Sequence, residues 1–285
     1  MQTSLTGSAG VTGVGSGYHS ADRALQLSVT GWVLVALAGQ WLFAFYIAVL
    51  YAVPALTGNY EGANQARPIT GYVAGDTVGN LMLFAHVLPA AMLSVGGVLQ
   101  LLPALRRRWP QLHRWNGRVF LVMGLLGALT GLYLTWVRGS RLSDLGAIGI
   151  TINGLLIPVA VLLAWRAARA RQFDRHRRWA VHAFLLINGV WTFRLYLMGW
   201  YLVNHGQNGN TNNLDGPVDL FISVACYALP MAVAELWFWA QRQHHVARKW
   251  WVAAMLSLAA LITLLGVVAA ILMMWLPRIG NVLAG

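Results

Sequence analysis

Seven mostly apolar stretches recur along this chain, at about 28–51, 78–102, 115–137, 146–165, 179–203, 218–240 and 250–276. Each is about 20 residues or more, enough to cross roughly 30 Å of hydrocarbon as an α-helix. None shows the every-second-residue alternation of a membrane strand. Sharp polar breaks separate them: "RRRWPQLHR", "RGSRLSD", "RAARARQFDRHRR", "NHGQNGNTNNLDGP" and "QRQHHVARK". The pattern predicts an all-α, polytopic membrane bundle of about seven helices.

Composition agrees. Of 285 residues, 58% are hydrophobic and 10% charged, against about 25% charged in soluble proteins. Residues 1–20 are rich in Gly, Ser and Thr, with no charge and no apolar core. Residues 1–27 therefore read as a flexible cytoplasmic tail rather than a cleaved signal. Residues 28–276 form the bundle, and 277–285 a short extracytoplasmic tail. The single cysteine, Cys226, excludes an intrachain disulfide and a C-x-x-C-H haem attachment.

A net charge of +12 would suggest nucleic acid in a soluble protein. Here position matters more than amount. Fifteen of the 20 Lys and Arg residues fall in the N-terminal tail and the second-to-third, fourth-to-fifth and sixth-to-seventh loops. Only Arg67, Arg138, Arg141 and Arg278 fall on the other side, and Arg194 lies within a span. The positive-inside rule then puts the N-terminus in the cytoplasm and the C-terminus outside. The expected partners are the bilayer and its anionic lipids, not nucleic acid.

Candidate chemistry gathers at span boundaries and inside spans. His113 and His176 each precede a Trp where the chain re-enters the bilayer at the basic side. At about 100° per residue, Gly117, Gly124, Gly127 and Gly131 lie within about 40° of His113. Such a stripe admits either a neighbouring helix or a flat cofactor beneath an axial histidine. His182 shares a face with Gly189, Tyr196 and Trp200, and points about 120° from His176. His86, Asn153 and Arg194 lie at similar depth, and polar groups this deep are functional candidates. Asp219 is a candidate partner for Arg194. Glu235 requires Arg118, Arg178 or a histidine. His113, His176 and Asp174 make at best a weak metal set. No P-loop, G-x-S-x-G or H-E-x-x-H is present.

The segment "FAHVLPAAMLSVGGVLQLLPALRRRWPQLHRWNGRVFLVMGLLGALTGLYL", with "FDRHRRWAVHAFLLINGVWTFRL" further on, resembles the bacterial membrane proteins catalogued as domain of unknown function 2306. The motif positions are His86, Gln100, Pro110, His113, Arg114, Gly117, Arg118, His176, Arg177, Arg178, Trp179 and Arg194, so the family-like core covers about 78–203. His182 departs from the pattern, where a basic residue usually stands. The resemblance implies a multi-pass protein of the bacterial cytoplasmic (inner) membrane and leaves the reaction open.

The four-helix arrangement also resembles transmembrane b-type cytochromes at the level of fold. That resemblance implies haem b near the cytoplasmic face, ligated by His113 and by His176 or His182. A quinone-like or small-molecule site near His86, Asn153 and Arg194 would complete a membrane oxidoreductase for electron transport. The alternative is a non-enzymatic module: a small-solute carrier, or an accessory subunit of a larger membrane complex.

Overall fold

The computed structural model describes residues 9–66 and 70–283. Every described element is helical: α1 Ala9–Ile47, α2 Val53–Thr57, α3 Thr77–Leu99, α4 Pro103–Arg108, α5 Pro110–Leu132, α6 Asp144–Arg169, α7 Phe173–Ile187, α8 Gly189–Val203, α9 Pro217–Ala240, α10 Val246–Ala270 and α11 Leu276–Leu283. Short π segments, Ala48–Ala52, Tyr133–Val137 and Ile271–Trp275, extend α1, α5 and α10.

Among the described residues six helices are long and apolar enough to span a membrane. They become seven if α7 and α8, bent by 55°, count as one. The expected span at 179–203 is therefore two half-length helices. The cause is local: Asn188 sits between them at φ −90° and ψ 8°, and Asn-Gly is a turn signal.

Helix ends follow from their sequences. Asp76 caps α3 by accepting from Gly79 N (2.9 Å), and Ser143 caps α6 by accepting from Gly146 N (3.0 Å). Proline opens α4, α5 and α9, where its missing N–H costs nothing.

Apolar burial does not drive helices together in lipid, so close packing must. On α6 the buried row Gly149, Asn153, Gly154, Ile157, Ala160, Ala164 and Ala167 is mostly small residues, and α7 packs against that helix. Gly266 on α10 touches the backbone of α8: a Cβ there would lie 2.8 Å from the Leu195 carbonyl oxygen. α1 lies against α10 and α3, and α3 against α5.

Both expected tails look different within the described residues. Residues 9–27 are helix, part of α1, and 277–283 belong to α11; residues 1–8, 284 and 285 lie outside the described residues, as does Arg67. Ala21 and Leu25 are buried, one helical turn apart. Lys249 of α10, almost wholly buried, is paired with Asp22 and donates to the Tyr18 hydroxyl (2.8 Å). A cation counted among the loop charges thus anchors the start of α1.

Candidate functional site

The α7–α8 bend leaves backbone groups that neighbouring helices satisfy. Asn153 of α6 donates to the Leu186 carbonyl (3.1 Å). Gln40 of α1 donates to the Asn188 side chain (2.8 Å), which itself donates to the Phe184 carbonyl (2.8 Å). Gly189 is required here, because a Cβ would sit 2.5 Å from the Asn153 amide nitrogen. Asn153 therefore spends its donor on the bend.

Arg194 lies one and a half turns beyond the bend. Among the described residues its side chain makes one hydrogen bond, to the Val190 carbonyl of its own helix (3.1 Å), and its guanidinium lies over the Phe43 ring (5.6 Å). No carboxylate pairs with it among the described residues. The expected partner Asp219 is elsewhere: fully buried, it accepts from Asn210 (2.6 Å), Thr211 N (2.9 Å) and Gly216 N (3.1 Å) at the start of α9. Three donors from its own loop hold that carboxylate.

Around Arg194 stand groups the sequence reading missed. Tyr46, Tyr51 and Arg278 are within electrostatic range, and Arg278 donates to the Tyr46 hydroxyl (3.0 Å). Phe43, Tyr46 and Trp275 pack as a triad with ring centres 5.7–6.2 Å apart. Among the described residues the buried Trp275 indole nitrogen has no acceptor. His86 also feels Arg194 electrostatically. Its Nδ1–H donates to the Gly127 carbonyl (3.0 Å), which leaves Nε2 as an acceptor in the neutral ring. Two of the three π segments, Ala48–Ala52 and Ile271–Trp275, border this cluster, and π turns are frequent at functional sites. Nothing in a sequence marks a π turn, so these faces were not legible.

At the arginine-rich end, Glu235 finds two of its expected partners. Arg178 Nε donates to Oε1 (2.7 Å), its NH2 group pairs with Oε2, and His182 Nε2–H donates to Oε1 (2.6 Å). The buried His182 Nδ1 has no partner among the described residues. His176 Nδ1–H donates instead to the Ala164 carbonyl (2.9 Å), so His176 and His182 turn to different helices. His113 and His176 lie within electrostatic range of one another. With its side-chain amide turned so that nitrogen faces His113 and oxygen faces Gly117, the orientation that satisfies both neighbours, Gln100 donates to His113 Nδ1 (2.9 Å) and accepts from Gly117 N (3.2 Å). His113 then carries its proton on Nε2.

Neighbouring side chains occupy most of the glycine stripe. A Cβ at Gly124 would lie 2.2 Å from Ile187 Cδ1, one at Gly131 3.0 Å from His86, and one at Gly117 3.2 Å from Gln100; only Gly127 is open. These are helix-packing contacts, and they leave little room for a flat macrocycle along the stripe. Among the described residues no three His, Cys, Asp or Glu side chains gather as a metal set.

The fold and these intramembrane polar groups define a multi-pass α-helical membrane protein. The profile of the family described as "Predicted membrane protein (DUF2306)" matches residues 83–238, more than half of the chain. The chain belongs to that family. Comparison with curated proteins and with solved structures returns no match.

Proposed function

We propose that this protein binds a small anionic or quinone-like molecule in the arginine-poor half of its bundle, with Arg194 as the anchor. One observation carries the reading: a guanidinium inside the bundle uses one donor on a carbonyl of its own helix and faces no carboxylate among the described residues. A guanidinium has five N–H donors, and a charge at this depth is costly without a partner. A carboxylate would be held bidentately. A quinone would accept from Arg194 and the Trp275 indole against the Phe43–Tyr46–Trp275 wall, and His86 Nε2 would accept from a hydroxyl of its reduced form.

The test is thermal stability of the detergent-purified chain with decylubiquinone or benzoate as probes. At least one should stabilise the wild type and leave Arg194→Gln unmoved. No stabilisation by either, or equal stabilisation of both proteins, sinks the proposal.

An electron-carrying form of the proposal adds haem b between His113 and His176, with His182 as the alternative ligand. His176 supports it: Nδ1–H on a carbonyl is the usual arrangement of a metal-bound histidine. The filled stripe weighs against it. Without a haem, the same Arg194 site suits a small-solute carrier or an accessory subunit. A Soret band that His113→Ala removes favours the redox form, and colourless protein from haem-replete cells favours the other.

A further inference from the structure

At the arginine-rich end, positive groups from three helices converge with little to neutralise them. Arg106 of α4 and Arg177 of α7 are near enough to repel one another, and Asp174 is the carboxylate within reach of Arg177. Arg106, Arg114 and His176 all act electrostatically on His113. Arg177 cannot easily swing away, because its guanidinium lies over Trp237 (4.7 Å) and Phe238 (5.6 Å). Arg106, Arg114 and Arg177 are exposed, and the two histidines half-buried. Like charges held together this way are relieved by an anion.

A second feature says which anion. A shallow groove between α3 and α5 is lined by Met92, Leu93, Val119, Phe120 and Met123, with Asn116 at its head. Asn116 is three residues from His113, about one helical turn. The groove therefore begins just below the cationic cluster and runs toward the bundle's middle. Its methionines adapt to irregular apolar shapes. Exposed Trp109 and Trp115 flank the cluster, as aromatic residues do at head-group depth.

We propose that Arg106, Arg114, Arg177 and His113 bind the phosphate of one anionic phospholipid in this leaflet, and that an acyl chain lies in the Met92–Met123 groove. Arg106 and Arg177 clamp the phosphate oxygens from opposite helices. His113, with Nδ1 taken by Gln100, donates from Nε2. This explains a histidine beside a Trp-Arg pair that could anchor the helix without it. The proposal is independent of the Arg194 site and competes with haem for His113.

The experiment uses the full-length, delipidated protein in detergent. Native mass spectrometry follows binding of dioleoylphosphatidylglycerol, dioleoylphosphatidylcholine and inorganic phosphate. One phosphatidylglycerol should bind in clear preference to phosphatidylcholine. Arg106→Gln and Arg177→Gln should each weaken it about fivefold, from roughly 1 kcal/mol per basic residue near the surface. Arg107→Gln, an exposed neighbour on α4, controls for general charge loss and should change affinity least. A melting temperature for each variant separates lost binding from lost folding. Equal binding of the two lipids, or an effect of Arg107→Gln as large as that of Arg106→Gln, overturns the site. Inorganic phosphate binding as tightly as phosphatidylglycerol overturns the acyl groove. A Soret band that depends on His113 overturns its role as a phosphate donor.

Discussion

His182 donates Nε2–H to Glu235 Oε1 across 2.6 Å, so a nearly buried imidazole on α7 is tied to a carboxylate on α9 of which a third is exposed. Arg178 holds the same carboxylate from the surface side, with half of its side chain exposed. The two bonds are unequal because their surroundings are. A hydrogen bond to a charged group contributes about 1.5–3 kcal/mol, whereas an exposed ion pair gives about 0.2–1 kcal/mol. Glu235→Ala should therefore destabilise the protein clearly more than Arg178→Gln does, measured by unfolding in mixed micelles. Equal losses would place the pair's worth on the arginine side.

Arg194 is expected to lower the stability of the ligand-free protein. Replacing an uncompensated intramembrane charge with an apolar side chain of similar length removes its desolvation penalty. Arg194→Met is expected to raise the melting temperature of the ligand-free protein while abolishing any response to benzoate or decylubiquinone. A fall in stability without ligand would mean that the guanidinium has a structural partner after all.

Glycine substitutions separate close approach from free space. Gly266→Ala pushes a methyl into the Leu195 backbone, and such overpacking costs about 1–3 kcal/mol. Gly127→Ala meets nothing within 4 Å and should be neutral in the same assay. If both are tolerated, α8 and α10 can part more easily than their contact implies.

Asp76 gives a pH dependence with a definite sign. Its carboxyl is held below the usual carboxylate range, first by the Gly79 N–H and then by Arg138, whose Nε donates to Oδ2 (2.8 Å). A depressed folded-state pKa stabilises fully above the unfolded value, about 3.9 for Asp, and the gain is lost as pH falls through the folded value. Asp76→Asn should flatten the acid side of the stability curve and leave its shape near neutrality unchanged. An unaltered acid limb would remove Asp76 from the account.

The arginine distribution predicts an orientation. A reporter in the 166–178 loop should read as cytoplasmic and one placed after Gly285 as extracytoplasmic. The same compartment for both would mean an even number of crossings, most simply with α7 and α8 as a re-entrant pair.

Much of this was legible because run length and charge placement are one-dimensional signals. The spans, the basic end and the need of Glu235 for Arg118, Arg178 or a histidine all came from them. Partner choice across helices was harder. Asp219 seemed free to meet Arg194 until its own loop turned three donors onto it. Asn153 was placed by depth with His86, yet the Leu186 carbonyl at the α7–α8 bend takes its amide. Face arithmetic assumes unbroken α-helix, and it fails at Asn188 and at each π segment. Lys249 looked like one more loop cation because nothing in the sequence pairs it with Asp22, 227 positions away.

The π segment Ala48–Ala52 has a consequence for how this chain tolerates change. On an ideal α-helix, Tyr46 and Tyr51 would face about 140° apart. A turn closed by i→i+5 bonds, as from Val53 N to the Ala48 carbonyl, carries one residue more than an α turn and brings positions five apart nearly into line. Both tyrosines thereby come within range of Arg194. The local reading frame of the helix, rather than any one side chain, aligns them. A regular α-helix through the same residues at unchanged length would return Tyr51 to about 140° from Tyr46 and out of the cluster, whereas deleting one residue before Tyr51 would leave the two four positions apart, about 40°, and still together. In this stretch a return to α register at unchanged length is the change to which the Arg194 cluster is most exposed, and it would leave the amino-acid sequence untouched.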